Sequence, residues 1–330
     1  MKIGIGGHIF QMPPLGYGGV ERVAAWWCDE LKRRGHYVRI FGHPGSTAAH
    51  DALVPVYASS DYDQFGPAYR QHGLGLDVIH HNSDAMPSEA MWTTSPHGSH
   101  RPFVHTVHAC VWHRRVPCPV FLSANQARWF GYGPNAPVIV HNGFPIDRFA
   151  VETEKEGFYL WCGSLRGSKA PDMAVQLAEE TGAALIIIGP IQDGKYADYP
   201  ERFPRGRGRI QYLGEMGDER LHYFRKAKAL LYTCAPEWME GMCLVLCEAM
   251  LSGTPVIGLV TPNNTIVSEI VSEGGLACES YDAMRDAIQT DRAASFSPDA
   301  CRANGERFSI ARAVDQYLEL YEAVMRGDRW

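Results

Sequence analysis

Two glutamates, Glu240 and Glu248, are separated by the seven residues Gly-Met-Cys-Leu-Val-Leu-Cys. The apolar run predicts a helix over Cys243–Ser252, with Glu240 in the loop before it and Glu248 about one and a half turns inside. The free N–H groups of Cys243 and Leu244 at the start of such a helix suit a phosphate. A carboxylate can accept two hydroxyls from one sugar ring, so the pair could grip sugars on either side of a diphosphate. Spacing alone does not distinguish this from two solvated glutamates flanking an apolar helix. A second anion-binding pattern is Tyr17-Gly18-Gly19-Val20-Glu21, where two glycines directly before a helix expose N–H groups and allow close approach. Its bland counterpart is a flexible turn entering a helix.

Other constellations fail on spacing. Gly4-Ile5-Gly6-Gly7-His8-Ile9 has the first two glycines of a dinucleotide fingerprint but isoleucine in the last place. The next helix begins only near Val20, and no acidic residue closes the second strand. His105, His108, Cys110, His113 and Cys118 hint at a metal. They spread over a strand and an irregular loop without a Cys-x-x-Cys pair, so no metal is expected. Cys243 and Cys247, one helical turn apart, read as core thiols. Of His80 and His81, one is expected in the core and the other at a cleft edge. Trp92, His97, His100 and Trp112 fall in a Pro/Gly-rich stretch whose loops could build an acceptor pocket, since aromatic faces pack on sugar rings.

These residues must be positioned by an alternation of strands and helices. Strands are expected at Lys2–Gly6, Tyr37–Phe41, Val78–His80, Phe103–Val107, Val120–Ser123 and Val138–His141. The helix Val20–Arg34 lies among them. After a turn-rich stretch around Pro145 the pattern restarts with strands at Phe158–Cys162, Leu185–Ile188, Ile210–Leu213, Ala229–Tyr232 and Pro255–Gly258. Helices are expected at Pro171–Thr181, Asp218–Lys228, Cys243–Ser252 and Ile310–Met325. Alternation of this kind favours parallel sheets, so the fold class is α/β with two doubly wound, Rossmann-like halves. At 330 residues the chain has room for two domains. The halves differ in composition: 13 of the 14 histidines precede residue 150.

A net charge of −6 argues against wholesale nucleic-acid binding. No apolar run is long enough to span a bilayer, and no basic amphipathic helix stands out. Nine cysteines, an odd number, read as reduced thiols of a cytoplasmic protein. Neither nucleic-acid nor membrane partners are expected.

Context sharpens the two-glutamate pattern. It continues as Ala249-Met250-Leu251-Ser252-Gly253-Thr254-Pro255-Val256-Ile257-Gly258. The whole run resembles the signature of family-4-type retaining glycosyltransferases of the GT-B fold, the glycosyl transferases group 1. Further matching stretches follow in the same order: Pro13-Pro14 through Gly18-Gly19-Val20-Glu21-Arg22-Val23, Thr106-Val107-His108, Ser123-Ala124-Asn125-Gln126, Val138 to Gly143 with Asp147-Arg148-Phe149, and Ile210 to Gly214. The resemblance implies two domains facing across a cleft. Residues 1–145 would form the acceptor side and 146–311 the nucleotide-sugar side, with a terminal helix, 312–330, crossing back. By the same resemblance Glu248 would hold the ribose and Glu240 the hydroxyls of the transferred sugar. Backbone N–H groups of Cys243, Leu244, Gly18 and Gly19 would cradle the diphosphate. Met216 would meet the base, His108 would sit over the donor sugar, and Lys169 would contact phosphate.

Two departures from the family pattern stand out. Where the usual run is like G-R-x-x-x-x-K-G, this chain reads Gly163-Ser164-Leu165-Arg166-Gly167-Ser168-Lys169-Ala170, so Arg166 would have to replace the arginine absent at Ser164. Gly241, Met242 and Cys243 replace the common Pro, Phe and Gly, which places Met242 and the Cys243 side chain at the donor phosphates. The implied function is transfer of a sugar from a nucleotide-diphosphate donor to an acceptor hydroxyl with retention. Cations and a helix N-terminus would act in place of a metal, and no cofactor is needed. Alternatives are a nucleotide-sugar epimerase or phosphorylase on the same scaffold, and a non-catalytic sugar-nucleotide binding protein. The acceptor stays open between lipid, polysaccharide, small metabolite and antibiotic scaffold.

Overall fold

The computed structural model describes residues 1–8, 10–57, 64–83, 102–108, 118–133 and 138–330. The chain divides into two compact units, Met1–Pro145 with Phe308–Trp330, and Ile146–Arg307.

The first unit is a seven-stranded parallel sheet in the order β3-β2-β1-β4-β5-β6-β7. Its strands are β1 (Lys2–His8), β2 (Tyr37–Gly42), β3 (Ala52–Pro55), β4 (Val78–Ser83), β5 (Phe103–Val107), β6 (Pro119–Phe121) and β7 (Val138–Ile139). The central strands are buried on both faces because helices cover both, and they enclose His80, His81 and Asn82 on β4 and His105 and Thr106 on β5 along with their apolar residues. The helix Gly19–Arg33 buries Val23, Trp26, Trp27 and Leu31, the stripe its period announces. Glu30 on that face is buried too, and the Arg33 and Arg34 side chains neutralise it.

The last helix, Ile310–Arg326, packs within this first unit and buries Ala313, Val314, Tyr317, Tyr321 and Val324. Ser309 caps its start by accepting from the Arg312 N–H, and Gly327 ends it in a left-handed conformation. Gly143 permits the approach: a Cβ there would lie 2.6 Å from the Ile310 Cα.

The second unit is a six-stranded parallel sheet in the order β10-β9-β8-β11-β12-β13. It comprises β8 (Phe158–Cys162), β9 (Ala184–Ile188), β10 (Ile210–Tyr212), β11 (Ala229–Tyr232), β12 (Val256–Leu259) and β13 (Gly275–Cys278). Pro171 opens the helix Pro171–Thr181 and a left-handed Gly182 closes it. Strand order reverses between β1 and β4 in one unit and between β8 and β11 in the other. In doubly wound sheets, ligands bind beyond the carboxyl ends of the strands at such a point.

Candidate functional site

In the second unit, the loops that leave the switch-point strands are residues 163–170 after β8 and 233–243 after β11. They are tied to each other. The Thr233 hydroxyl donates to the carbonyls of Lys169 and Ala170, each at 2.9 Å, and accepts from the indole of Trp161 at 2.9 Å. The Ala235 N–H donates to the Ser168 carbonyl at 3.0 Å. The first loop also rests on the one after β9, where the Leu165 N–H donates to the Pro190 carbonyl at 2.8 Å. Gly189 lies so close beneath that a Cβ would come 1.8 Å from the Gly163 carbonyl oxygen.

This stitching brings three of the expected residues together. The Lys169 ammonium donates to Glu240 Oε2, an ion pair with side chains only 11% and 14% exposed. The Trp238 indole N–H donates to the same carboxylate oxygen at 3.2 Å. The guanidinium of Arg166 lies over the Trp238 ring, 4.9 Å from its centroid. Ser164, where the family pattern has arginine, is wholly buried and its hydroxyl has no hydrogen-bond partner.

Glu248 sits in a different pair. Buried at 2% exposure on the helix Leu244–Leu251, it accepts from the guanidinium of Arg220, whose side chain is 7% exposed. Arg220 also donates to the Gly217 carbonyl at 2.9 Å, fixing the loop that carries Met216. Burial disfavours the charge on Arg220, but the Glu248 carboxylate beside it outweighs burial and holds its pKa above the ordinary arginine value. Arg220 was not among the expected site residues. A glutamate inside the otherwise apolar Leu-Val-Leu-Cys-Glu-Ala-Met-Leu needs a buried cation from a neighbouring element, and the predicted helix over Asp218–Lys228 was the place to seek it.

The helix Leu244–Leu251 starts without a side-chain cap, so its first N–H groups are available to an anion. Met242 and Cys243 are buried just before it, and burial pushes the Cys243 thiol up to about 12. That thiol is therefore un-ionised at neutral pH and does not compete with a phosphate.

In the first unit, Gly18 stands at the N-terminus of Gly19–Arg33, which has no side-chain cap either. A Cβ on Gly18 would lie 2.8 Å from the Pro14 Cβ. His108, directly after β5, donates through Nε2 to the Asn82 side chain on β4. The expectation that His80 and His81 divide between core and edge is corrected: both are buried. His80 bonds the Tyr321 and Thr106 hydroxyls, each at 2.7 Å, and His81 bonds the Tyr69 hydroxyl at 2.8 Å. Adjacent residues normally alternate faces of a strand, but this sheet is covered on both faces, so both imidazoles are enclosed.

Among the described residues no group of three or more His, Cys, Asp or Glu could hold a metal ion. His105, His108 and Cys118 of the proposed cluster are described; Cys110 and His113 are not. Trp92, His97, His100 and Trp112 also lie outside the described residues, as does the one Asp-x-Asp triplet of the chain, Asp61-Tyr62-Asp63. Eight cysteines among the described residues are free thiols, and no helix there is long and apolar enough to cross a membrane.

Residues 144–293, nearly all of the second unit, match the family model for glycosyl transferases group 1. The structure is similar to that of AviGT4, a glycosyltransferase involved in avilamycin A biosynthesis. Sequence identity is 25% and the TM-score 0.81, over 100% of this chain and 99% of that one. It is also similar to HepE of Anabaena, solved in complex with UDP-glucose, at 15% identity and a TM-score of 0.73, over 98% and 100% of the two chains. A glycosyltransferase from Rickettsia africae matches at 13% identity and a TM-score of 0.75, over 99% and 100%. No curated protein matches the chain in sequence. The second unit is a domain of the group 1 glycosyltransferase family, and the chain, with its two doubly wound sheets, is a GT-B glycosyltransferase.

Proposed function

We propose that this glycosyltransferase moves a sugar from a nucleoside-diphosphate donor to an acceptor hydroxyl, with retention at the anomeric carbon and without a metal ion. The observation that carries the reading is the Lys169–Glu240 ion pair, held across the two loops of the second unit's switch point beside an uncapped helix N-terminus. A cation and aligned N–H groups are what a departing diphosphate requires; a carboxylate next to them is what sugar hydroxyls require.

In the reaction the bond between the anomeric carbon and the diphosphate oxygen breaks as the acceptor oxygen bonds that carbon. The acceptor's proton passes to the departing phosphate oxygen. Lys169, Arg166 and the N–H groups of Cys243 and Leu244 stabilise the growing negative charge. Glu240 holds the transferred sugar, Glu248 the ribose, and Met216 and Met242 border the nucleotide. Glu248 arrives at that task already oriented by Arg220. The resemblance assigns Gly18, Gly19 and His108 to the same donor; the hydrogen bond between His108 Nε2 and the Asn82 side chain orients the imidazole. His108 orients and stabilises charge and is not a nucleophile. The likeness to AviGT4 supports an acceptor among natural-product scaffolds, and the reduced thiols support a cytoplasmic site of action.

A panel of UDP-, GDP- and dTDP-sugars tests the reading by calorimetry and by product NMR. Binding of at least one donor, transfer that persists in a chelator, and a product anomer matching the donor's are expected. A folded protein that binds none of them, or an inverted product, overturns it.

A further inference from the structure

The reading above leaves the arginine absent at Ser164 to be replaced by Arg166, but a long side chain two residues further on must be held if it is to act. Trp238 holds it. The Arg166 guanidinium lies on the indole face, 4.9 Å from the ring centroid, and the Lys169 ammonium is 6.0 Å from the same centroid. The edge of the ring donates to Glu240 at 3.2 Å. One indole therefore touches both cations and the carboxylate of the site. Trp238 itself is anchored, with its backbone N–H donating to the Ala235 carbonyl at 3.0 Å while the Ala235 N–H reaches the Ser168 carbonyl on the facing loop.

The way Arg166 is held matters. Among the described residues no carboxylate pairs with it, and its Nε is buried without a hydrogen-bond partner. A guanidinium fixed by an aromatic face keeps its N–H groups and its full charge for an incoming anion, whereas one fixed by a carboxylate has already spent both. Lys169 is in the second situation, because Glu240 occupies it. Ser164 cannot supply charge, being small and wholly buried.

We propose that Trp238 is a positioning residue of the donor site: its ring face presents Arg166 to the terminal phosphate of the nucleoside diphosphate, and its N–H sets the Glu240 carboxylate. The inference rests on the reading of this loop pair as the donor site. It goes further by tying Arg166's function to an aromatic residue outside the family motif. Since Arg166 addresses the second phosphate, it should favour diphosphate over monophosphate without affecting the base or ribose.

The test is the ratio of monophosphate to diphosphate Kd, measured by calorimetry for UMP/UDP, GMP/GDP and dTMP/dTDP, using the base that the wild type prefers. Arg166→Ala and Trp238→Leu are each expected to lower that ratio about tenfold. The double variant should fall no further than Arg166→Ala alone, because Trp238 acts through Arg166 on this readout. Trp238→Phe keeps the ring face and should stay within about threefold of wild type in the ratio. It loses the N–H to Glu240, so its KM for donor sugar should rise. A ratio unchanged in Trp238→Leu, or losses that multiply in the double variant, overturns the proposal while leaving the donor site intact. Should Trp238→Leu melt early, Arg166→Lys decides instead: an ammonium stacks less well than a planar guanidinium, so the ratio should drop, and an unchanged ratio overturns the positioning role of Trp238. If the wild type binds none of the three diphosphates, the donor-site reading falls and that role with it.

Discussion

The two units share a strand order around their switch points, β3-β2-β1-β4 in one and β10-β9-β8-β11 in the other, yet they fill those points with different chemistry. In the second unit the polar groups are ions in pairs, Lys169 with Glu240 and Arg220 with Glu248. In the first they are imidazoles, hydroxyls and an amide: His80 with Thr106 and Tyr321, Thr106 with Tyr317, His81 with Tyr69, His108 with Asn82. Topology decides where polar groups collect; it does not decide their kind. A buried charge must be matched by another charge, and the match is broken easily and at large cost. A buried hydroxyl needs only a hydrogen-bond partner. The second unit thus holds paired charges at its switch point, and the first holds neutral hydrogen-bonding groups.

The contrast breaks most visibly at Glu248. Glu248→Ala leaves the buried Arg220 with only the exposed Asp218 carboxylate at 3.6 Å, and a loss of about 3 kcal/mol in urea unfolding is expected. Replacing both partners, Glu248→Leu with Arg220→Met, should recover stability to within about 1 kcal/mol of wild type, because a buried pair is seldom better than apolar packing. Nucleotide affinity should not recover with it. A single variant as stable as wild type would show that the pair is not buried in solution. Lys169→Ala comes next. Its turnover should fall about 10²- to 10³-fold, as for loss of one preorganised charge at a leaving group, with unfolding free energy lowered by about 1–3 kcal/mol, since Glu240 is left largely buried but keeps the Trp238 N–H. Loss of stability without loss of turnover would recast Lys169 as structural.

In the first unit's network of His80, Thr106 and Tyr317 the expected effects are smaller and structural. Tyr317→Phe removes the hydroxyl that meets Thr106 Oγ1 at 2.7 Å, in a network that also includes His80. Thermal denaturation should report about 1–2 kcal/mol, with donor Kd unchanged. A donor affinity that follows the stability loss would argue that the network serves ligand binding as well as packing.

Much of this was legible in the sequence, and the exceptions have physical causes. Strands buried on both faces announce themselves as apolar runs, which is why Phe103–Val107, Phe158–Cys162 and Ala229–Tyr232 are where they were expected. Two edge strands, β3 and β13, were missed. β3 is half exposed and ends in proline, and β13 is four residues opening on a glycine, so neither reads as a run. The helices Tyr281–Gln289 and Pro298–Glu306 were missed although Ser280 and Ser297 cap them. A lone serine before a polar stretch is too common to mark a helix by itself. Site residues on motifs were legible, but the partners that hold them were not. Arg220 reaches Glu248 from a neighbouring helix, and Trp238, only two residues from Glu240, receives Arg166 from the facing loop; spacing along the chain encodes neither of these long-range contacts.

The finest comparison uses backbone strain, since each unit holds a non-glycine residue in the left-handed region: Ala170 at φ 47°, directly after Lys169, and Cys118 at φ 49°, directly before β6. Such a conformation costs a side-chain-bearing residue about 1–2 kcal/mol, and at Ala170 the following Pro171 restricts the backbone further. Glycine would relieve that cost but adds freedom to the unfolded chain, which takes back about 0.4–1 kcal/mol. Ala170→Gly deletes one half-exposed methyl and leaves intact the carbonyl that accepts from Thr233, so its net change should be a gain of about 0.5 kcal/mol, a Tm rise of about 1–2 °C, with turnover unaltered. Cys118→Gly relieves the same strain but strips a side chain that is 1% exposed, and losing that burial outweighs the relief by about 1 kcal/mol. Opposite signs in paired melting curves are therefore expected. If both variants are destabilised, the Ala170 methyl is packed or its backbone is relaxed in solution, and the loop carrying Lys169 is held by its hydrogen bonds to Thr233 without stored strain.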